Sequence, residues 1–265
     1  DRSPSRGLGD VYKRQNVNEA NVALAKKYGL KFLRVGANAG DGAGACEGIR
    51  LVKAAGIKCR YSLMKAYVLT AEELAKEAKM LADCGLDEIT IMDSAGTMTP
   101  HQVTEYVKAL TAAVDIPVAF HGHNNLGLSV ANAIAAMEAG ATVFDCGLLG
   151  MARSAGNCAT ELLVANFQRL GLLNEIDLYA LLHFLDQKLI PVMEKHGYHT
   201  AIKPLDLVLG LSGCHSSFTK LFTDIANEYG VSLYQLIVET SKIDRKSPSE
   251  ELIRSVAQTL KTQSK

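Results

Sequence analysis

The chain has 265 residues, 48% of them hydrophobic, and its 28 basic and 28 acidic side chains cancel to a formal net charge of zero. Balanced charge, 6% aromatics and no Trp give no electrostatic or stacking case for nucleic acid or an anionic membrane. No apolar run approaches the roughly 18 residues of a membrane span, no secretory signal is evident, and the six cysteines, scattered without a Cys-x-x-Cys pair, read as reduced thiols of a cytoplasmic protein.

Residues 1–15 are polar, aperiodic and start without Met. The run 7–15 resembles translated sequencing-adapter sequence, so natural sequence is expected to begin near Asn16. From there one unit recurs: an apolar, β-branched run, a polar or Gly-rich stretch, an amphipathic helix, then Gly. The runs are 31–35, 58–64, 88–92, 117–120 and 142–146, with starts about 26–30 residues apart, the length of one βα unit. Continuous apolar strands alternating with helices indicate a parallel sheet. Helix signals agree. Residues 18–28 read as a first helix. Thr70, Glu73 and Gly85 frame a helix over 71–84 with a capping box, and Thr99-Pro100 opens one over 100–113. Another follows between Gly127 and Gly140, and one covers 158–170. Beyond residue 174 the pattern turns to helices at 178–195 (interrupted by Pro191), 217–229, 232–242 and 248–261, the last with Ser247 as cap, Pro248 in first position and Glu250 closing a capping box.

Five βα units fit part of a (β/α)8 barrel or part of a doubly wound sheet, and a closed barrel needs eight strands and about 250 residues. The expected fold is α/β: an incomplete barrel over 16–173, about five of eight units, followed by a helical domain over 174–265.

In such folds chemistry sits beyond the C-terminal ends of the strands. Here those ends read Arg34 to Asn38, Lys65-Ala66-Tyr67, Asp93 to Thr97, His121 to Asn125 and Asp145 to Gly150. Each carries polar or Gly residues that a purely structural strand does not need. The fourth is the most informative. Residues two apart on a strand project to the same side, so His121 and His123 can converge on one divalent metal. Arg34 and Asp145 could instead form a structural ion pair. The Gly36 to Gly44 stretch could bind phosphate through backbone amides, but it matches no phosphate-loop spacing and a flexible loop is favoured. Lys65, if desolvated, could form a Schiff base with a carbonyl substrate; a surface or salt-bridged lysine is the preferred reading.

The run Phe120-His121-Gly122-His123-Asn124-Asn125-Leu126-Gly127 resembles a signature of the HMG-CoA-lyase-like metal-dependent barrel enzymes. Asp93-Ser94-Ala95-Gly96-Thr97-Met98 before it and Gly150 to Asn157 after it stand where that resemblance places them. Within that superfamily the chain looks most like the 4-hydroxy-2-oxovalerate aldolases. The resemblance implies that His121 and His123 bind the metal, that Ser94 contacts the pyruvyl group, and that Asn157 matches an asparagine that coordinates the metal in the lyase and synthase branches and, as an alternative in the aldolase branch, only shapes the site. His215 stands where the aldolases place an acid/base tyrosine. Arg34, Tyr67 and Asn125 are expected to contact substrate. The family's Arg-Asp pair at the end of the first strand, source of a third metal ligand, has no counterpart here.

The implied reaction is that of a class II aldolase, with a divalent metal as Lewis acid, Mn²⁺ first and Mg²⁺ or Co²⁺ next. It cleaves a 4-hydroxy-2-oxoacid to pyruvate and an aldehyde. Lacking one ligand, this chain is expected to bind metal weakly and turn over poorly. The implied partners are a 2-oxoacid substrate, an acylating aldehyde dehydrogenase and further copies of the same chain, with no nucleic acid and no membrane. Competing readings are a Claisen-type acyl-CoA enzyme such as an isopropylmalate or citramalate synthase, a Schiff-base aldolase using Lys65, and a non-catalytic scaffold.

Overall fold

The computed structural model describes residues 17–198 and 204–263; the tail at 1–15 lies outside them. Five strands form one sheet: β1 Phe32–Asn38, β2 Lys58–Met64, β3 Glu88–Asp93, β4 Val118–Gly122 and β5 Val143–Asp145. The helices are α1 Glu19–Lys27, α2 Cys46–Ala54, α3 Ala71–Asp83, α4 Pro100–Ala113, α5 Ser129–Glu138, α6 Thr160–Arg169, α7 Leu178–Phe184, α8 Ile190–Lys195, α9 Pro204–Ser212, α10 Thr219–Tyr229, α11 Leu233–Ile243 and α12 Glu250–Gln263.

The strand order β1-β2-β3-β4-β5 follows the chain without reversal. A doubly wound sheet requires a reversal. An unbroken order of parallel strands is the arrangement of an incomplete (β/α) barrel. The register shows the two faces. Leu33–Cys59, Val35–Tyr61–Ile89 and Ala37–Leu63–Ile91 form apolar rows of the kind a helix layer covers. The alternate rows are Arg34–Arg60–Glu88 and Gly36–Ser62–Thr90, polar and suited to a barrel interior.

Local signals explain most element boundaries. Thr70 Oγ1 accepts Glu73 N–H at 3.2 Å while Glu73 Oε2 accepts Thr70 N–H at 2.9 Å, a complete capping box. Asn18 Oδ1 caps α1 through Asn21 N–H. Around Pro191, which has no N–H to donate, Leu185–Leu189 is a π-helical turn between α7 and α8.

Four expectations need correction. The cap of α12 is Ser249, whose Oγ accepts Leu252 N–H at 3.2 Å. Ser247 is drawn into a turn by Asp244 Oδ1, which accepts its N–H at 3.1 Å and that of Lys246 at 2.8 Å. Helix α6 starts at Thr160, not 158, because Asn157 and Ala159 are used in β-bridges. The cysteines are not all reduced. Cys46, at the start of α2, and Cys84, closing α3, form a disulfide with α-carbons 5.5 Å apart, a pairing set by tertiary proximity across 38 residues. Lys65 is not at the surface: it is 7% exposed, on left-handed backbone at φ 55°.

The Gly-rich stretch after β1 does bind an anion through its amides, but the anion is the protein's own. Buried Glu77 of α3 accepts Gly40 N–H at 2.7 Å and Gly42 N–H at 2.6 Å. A Cβ on Gly42 would lie 2.4 Å from Glu77 Oε1, so a larger residue there must displace the Glu77 carboxylate.

The chain divides into two compact units. The first holds the described residues up to Asp93, with Pro100–His121 and Ala135–Phe144; the second holds Ser94–Thr99, Gly122–Ile134 and Asp145 onward. In the second, α9 to α12 enclose an apolar core. Phe222, Ile225 and Ala226 of α10 meet Leu236 and Ile237 of α11 and Ile253, Val256 and Ala257 of α12, stripes at helical i, i+3, i+4 spacing. No helix among the described residues is long and apolar enough to cross a membrane.

Candidate functional site

The second unit gathers the loops that leave β3, β4 and β5. Residues 157–159 bind these loops into one surface. Asn157 forms an antiparallel bridge with His123, and Ala159 a parallel bridge with Gly147. Between them Cys158 N–H donates to Gly122 O at 3.0 Å, and Asn124 N–H donates to Gly156 O at 2.9 Å. The bridge sets His123, 4% exposed, directly opposite Asn157. The Asn157 Oδ1 is buried and accepts no hydrogen bond. An amide oxygen withheld from water without a donor costs about 1–3 kcal/mol, which is recovered if a cation or a ligand donor takes it.

Close approach holds the β3 loop against this surface. Gly96 has φ +60°, and a Cβ there would lie 2.6 Å from Asn125 N and 2.8 Å from His123 O. Leu126 N–H donates to Gly96 O at 3.3 Å, and the buried Asn132 donates through Nδ2 to Met98 O at 2.8 Å. From the other side Gly210 of α9 lies so close to Asn125 that a Cβ would meet the Asn125 Cβ at 2.7 Å. Asn125, 2% exposed, donates through Nδ2 to Ser154 Oγ at 2.9 Å. Asn124 Oδ1 accepts Ser129 Oγ at 2.7 Å and Ser129 N–H at 3.3 Å at the start of α5.

His215 caps the short turn Ser216–Phe218. Its Nδ1 accepts Ser217 N–H at 3.2 Å and lies 2.7 Å from Ser217 Oγ. A ring nitrogen that accepts a backbone N–H carries no proton, so the neutral ring holds its proton on Nε2. Two residues outside the expected set also belong to this surface. Arg153 donates from Nη1 to Ser216 Oγ at 2.9 Å and from Nη2 to Ser94 O at 3.2 Å. Partial burial pushes the Tyr198 hydroxyl up, against the opposing pull of a backbone hydrogen bond with Ala152. The only sequence signal for Arg153 is its place in the Gly150 to Asn157 run. Burial pushes the Cys158 thiol up to about 12, so it is no nucleophile at neutral pH.

The structure thus links Ser94, His123, Asn125, Asn157 and His215 through one set of contacts. His121 belongs to the first unit, on β4, half-buried and two positions before His123 in sequence. Tyr67 is buried in a short turn after β2. Arg34 lies near the start of β1, four positions and about 13 Å along the strand from its C-terminal end. It forms an ion pair with Glu88 at 4.0 Å, and Glu88 also holds Arg60 at 3.2 Å. Among the described residues no group of three or more His, Cys, Asp or Glu side chains forms a metal-binding set.

Comparison with known proteins identifies the family. The HMGL-like family model matches residues 42–187, and a DmpG-like communication domain model matches 200–262. The 4-hydroxy-2-oxovalerate aldolase of Carboxydothermus hydrogenoformans is 33% identical over 237 residues, 89% of this chain and 70% of that protein. The enzyme of the same name from Geobacillus thermodenitrificans is also 33% identical, over 88% of this chain and 67% of its own length. The chain belongs to the 4-hydroxy-2-oxovalerate aldolase family. Members of that family are carbon–carbon lyases. More distant structures share the fold alone. The N-terminal domain of an aldolase-like protein from Bacteroides vulgatus has a TM-score of 0.67 at 23% identity, covering 77% of this chain and 68% of its own. The carboxyl transferase domain of Rhizobium etli pyruvate carboxylase reaches 0.75 at 17% identity, covering 96% of this chain and 45% of that one.

Proposed function

We propose that this aldolase-family chain is a divalent-metal-dependent lyase that cleaves a 4-hydroxy-2-oxoacid, such as 4-hydroxy-2-oxovalerate, to pyruvate and an aldehyde. The observation that carries this reading is the buried Oδ1 of Asn157, without a donor, on a residue whose backbone pairs with that of His123. His121, His123 and Asn157 would hold the cation, Mn²⁺ in the first instance, with Mg²⁺ or Co²⁺ as substitutes. When bound, the cation supplies Lewis acidity toward the 2-oxo group. Ser94, 2% exposed beside Asp93, offers its hydroxyl to the pyruvyl carboxylate. His215 offers Nε2–H as a hydrogen-bond donor to negative charge that develops on the substrate, since Nδ1 is committed to Ser217. Asn125 donates to Ser154 Oγ and keeps that turn in place. Three neutral donors hold a dication less tightly than a set with a carboxylate, so weak binding is expected.

The match over 200–262 supports a partner role for the helical region, toward an aldehyde dehydrogenase that would consume the aldehyde. The test of activity is pyruvate release from 4-hydroxy-2-oxovalerate with Mn²⁺, with EDTA and in His123→Ala. Release that depends on Mn²⁺ and is lost in the variant supports the proposal. Release indifferent to EDTA contradicts it.

One observation favours a second reading. Lys65 is buried at the C-terminal end of β2 on left-handed backbone, the setting in which a desolvated lysine forms a Schiff base. Borohydride trapping with pyruvate that labels Lys65 would establish that reading in place of the metal one.

A further inference from the structure

Arg153 is exposed, yet its guanidinium spans two segments far apart in sequence. One arm reaches the Ser94 carbonyl and the other the Ser216 hydroxyl. Ser94 is the substrate-contacting candidate on the β3 loop, and Ser216 adjoins His215. The loop that carries Arg153 is held in an uncommon shape. Leu149 and Ser154 have φ values of 55° and 59° without being glycine, a backbone region that side chains with a Cβ disfavour. Such conformations persist where surrounding contacts impose them. Here the buried Asn125 fixes the Ser154 hydroxyl, Gly156 N–H closes back on Arg153 O at 3.2 Å, and Leu149 N–H is held by Glu161 Oε2 at 3.1 Å. The result aims one side chain at two acceptors. A planar guanidinium serves two acceptors in fixed directions; a lysine ammonium is a point charge on a flexible stem. An exposed contact of this kind adds little to global stability, so its effect is on geometry.

We propose that Arg153 is a positioning residue that locks the His215 turn to the Ser94 loop, so that the proton-bearing ring and the substrate-contacting hydroxyl keep one spacing. The catalytic consequence rests on the aldolase reading above; the mechanical link does not.

The test is hydrogen exchange by mass spectrometry on the purified chain and on Arg153→Ala, Arg153→Lys and Ser216→Ala. In Arg153→Ala, peptides covering 94–99 and 213–218 should both exchange about fivefold or more faster, while 58–64 in β2 stays unchanged. Ser216→Ala should loosen 213–218 alone. Arg153→Lys should restore protection to at most one of the two segments. Should Arg153→Ala fold poorly, the Ser216→Ala and Arg153→Lys patterns decide alone. If Arg153→Ala and Arg153→Lys leave both segments as protected as in the parent chain, or if Ser216→Ala leaves 213–218 unchanged, the proposal is overturned. A second readout applies if the chain releases pyruvate. Arg153→Ala should then lower kcat about tenfold with KM changed less than about twofold, and a parallel fall in kcat/KM through KM alone goes against it. Absence of pyruvate release from the parent chain defeats the aldolase reading and leaves the exchange result to judge the link.

Discussion

Replacing Glu77 with Gln keeps the side chain's shape and changes two contacts. The carboxylate accepts Gly40 N–H at 2.7 Å and Gly42 N–H at 2.6 Å. Each is a charge-assisted bond, worth about 1.5–3 kcal/mol. A carboxamide has one oxygen, so one glycine N–H must face an NH₂ donor and lose its acceptor, while the other bond weakens to a neutral one of about 1 kcal/mol. A buried amide is easier to desolvate than a carboxylate, which returns part of the loss. The net destabilisation works out at about 2–3 kcal/mol, or roughly 5–10 °C in thermal midpoint for a chain of this size. Differential scanning fluorimetry, with hydrogen exchange at Gly40 and Gly42, is the assay. A midpoint within about 1 °C of the parent, or unchanged exchange at both glycines, would refute the reasoning.

Other consequences follow from the same contacts. Gly96→Ala puts a Cβ 2.6 Å from Asn125 N and 2.8 Å from His123 O on left-handed backbone; it should cost about 2–4 kcal/mol and weaken Mn²⁺ binding, and parent-like urea unfolding contradicts this. Removing the Cys46–Cys84 bridge, with a phosphine reductant or as Cys46→Ser, releases a span of 38 residues and should lower stability by about 2–4 kcal/mol; a midpoint insensitive to reductant contradicts it. Partial burial raises the Asp87 carboxyl, but Lys53 Nζ at 2.6 Å and Cys59 N–H at 2.7 Å hold it, on balance, below the ordinary range. A depressed carboxyl contributes stability that is complete above its unfolded value of about 3.9 and is lost as pH falls through the lower folded value. Lys53→Met should flatten the acid limb of stability against pH there, and superimposable curves go against it.

The parts of this molecule legible in sequence are those whose causes are local. The run 58–64 is a strand to both its ends because its apolar residues and the Gly56 and Lys65 that bound it are close in sequence. The Thr70–Glu73 capping box is a contact between residues three apart. The His121 and His123 pair is visible for the same reason. What stayed hidden depends on residues that only the fold brings together. Glu77 lies 35–37 residues from the glycines it holds, Cys46 lies 38 from Cys84, and Arg153 lies 59 and 63 from its acceptors. No spacing rule reaches so far. Arg34 sits near the beginning of β1 because the strand runs on to Asn38, and β-strand boundaries are set by the partner strand as much as by composition. At α12 two serines compete as caps, and the Asp244 turn decides for Ser249.

The central claim, that His121, His123 and Asn157 form a cation site, is tested most directly by Mn²⁺ titration of the purified chain followed by electron paramagnetic resonance. The account predicts uptake of one equivalent by the parent chain, loss of that uptake in His123→Ala, and about tenfold or more weaker binding in Asn157→Leu. The same uptake by the parent and by His123→Ala, or no uptake by the parent at any accessible concentration, would contradict it.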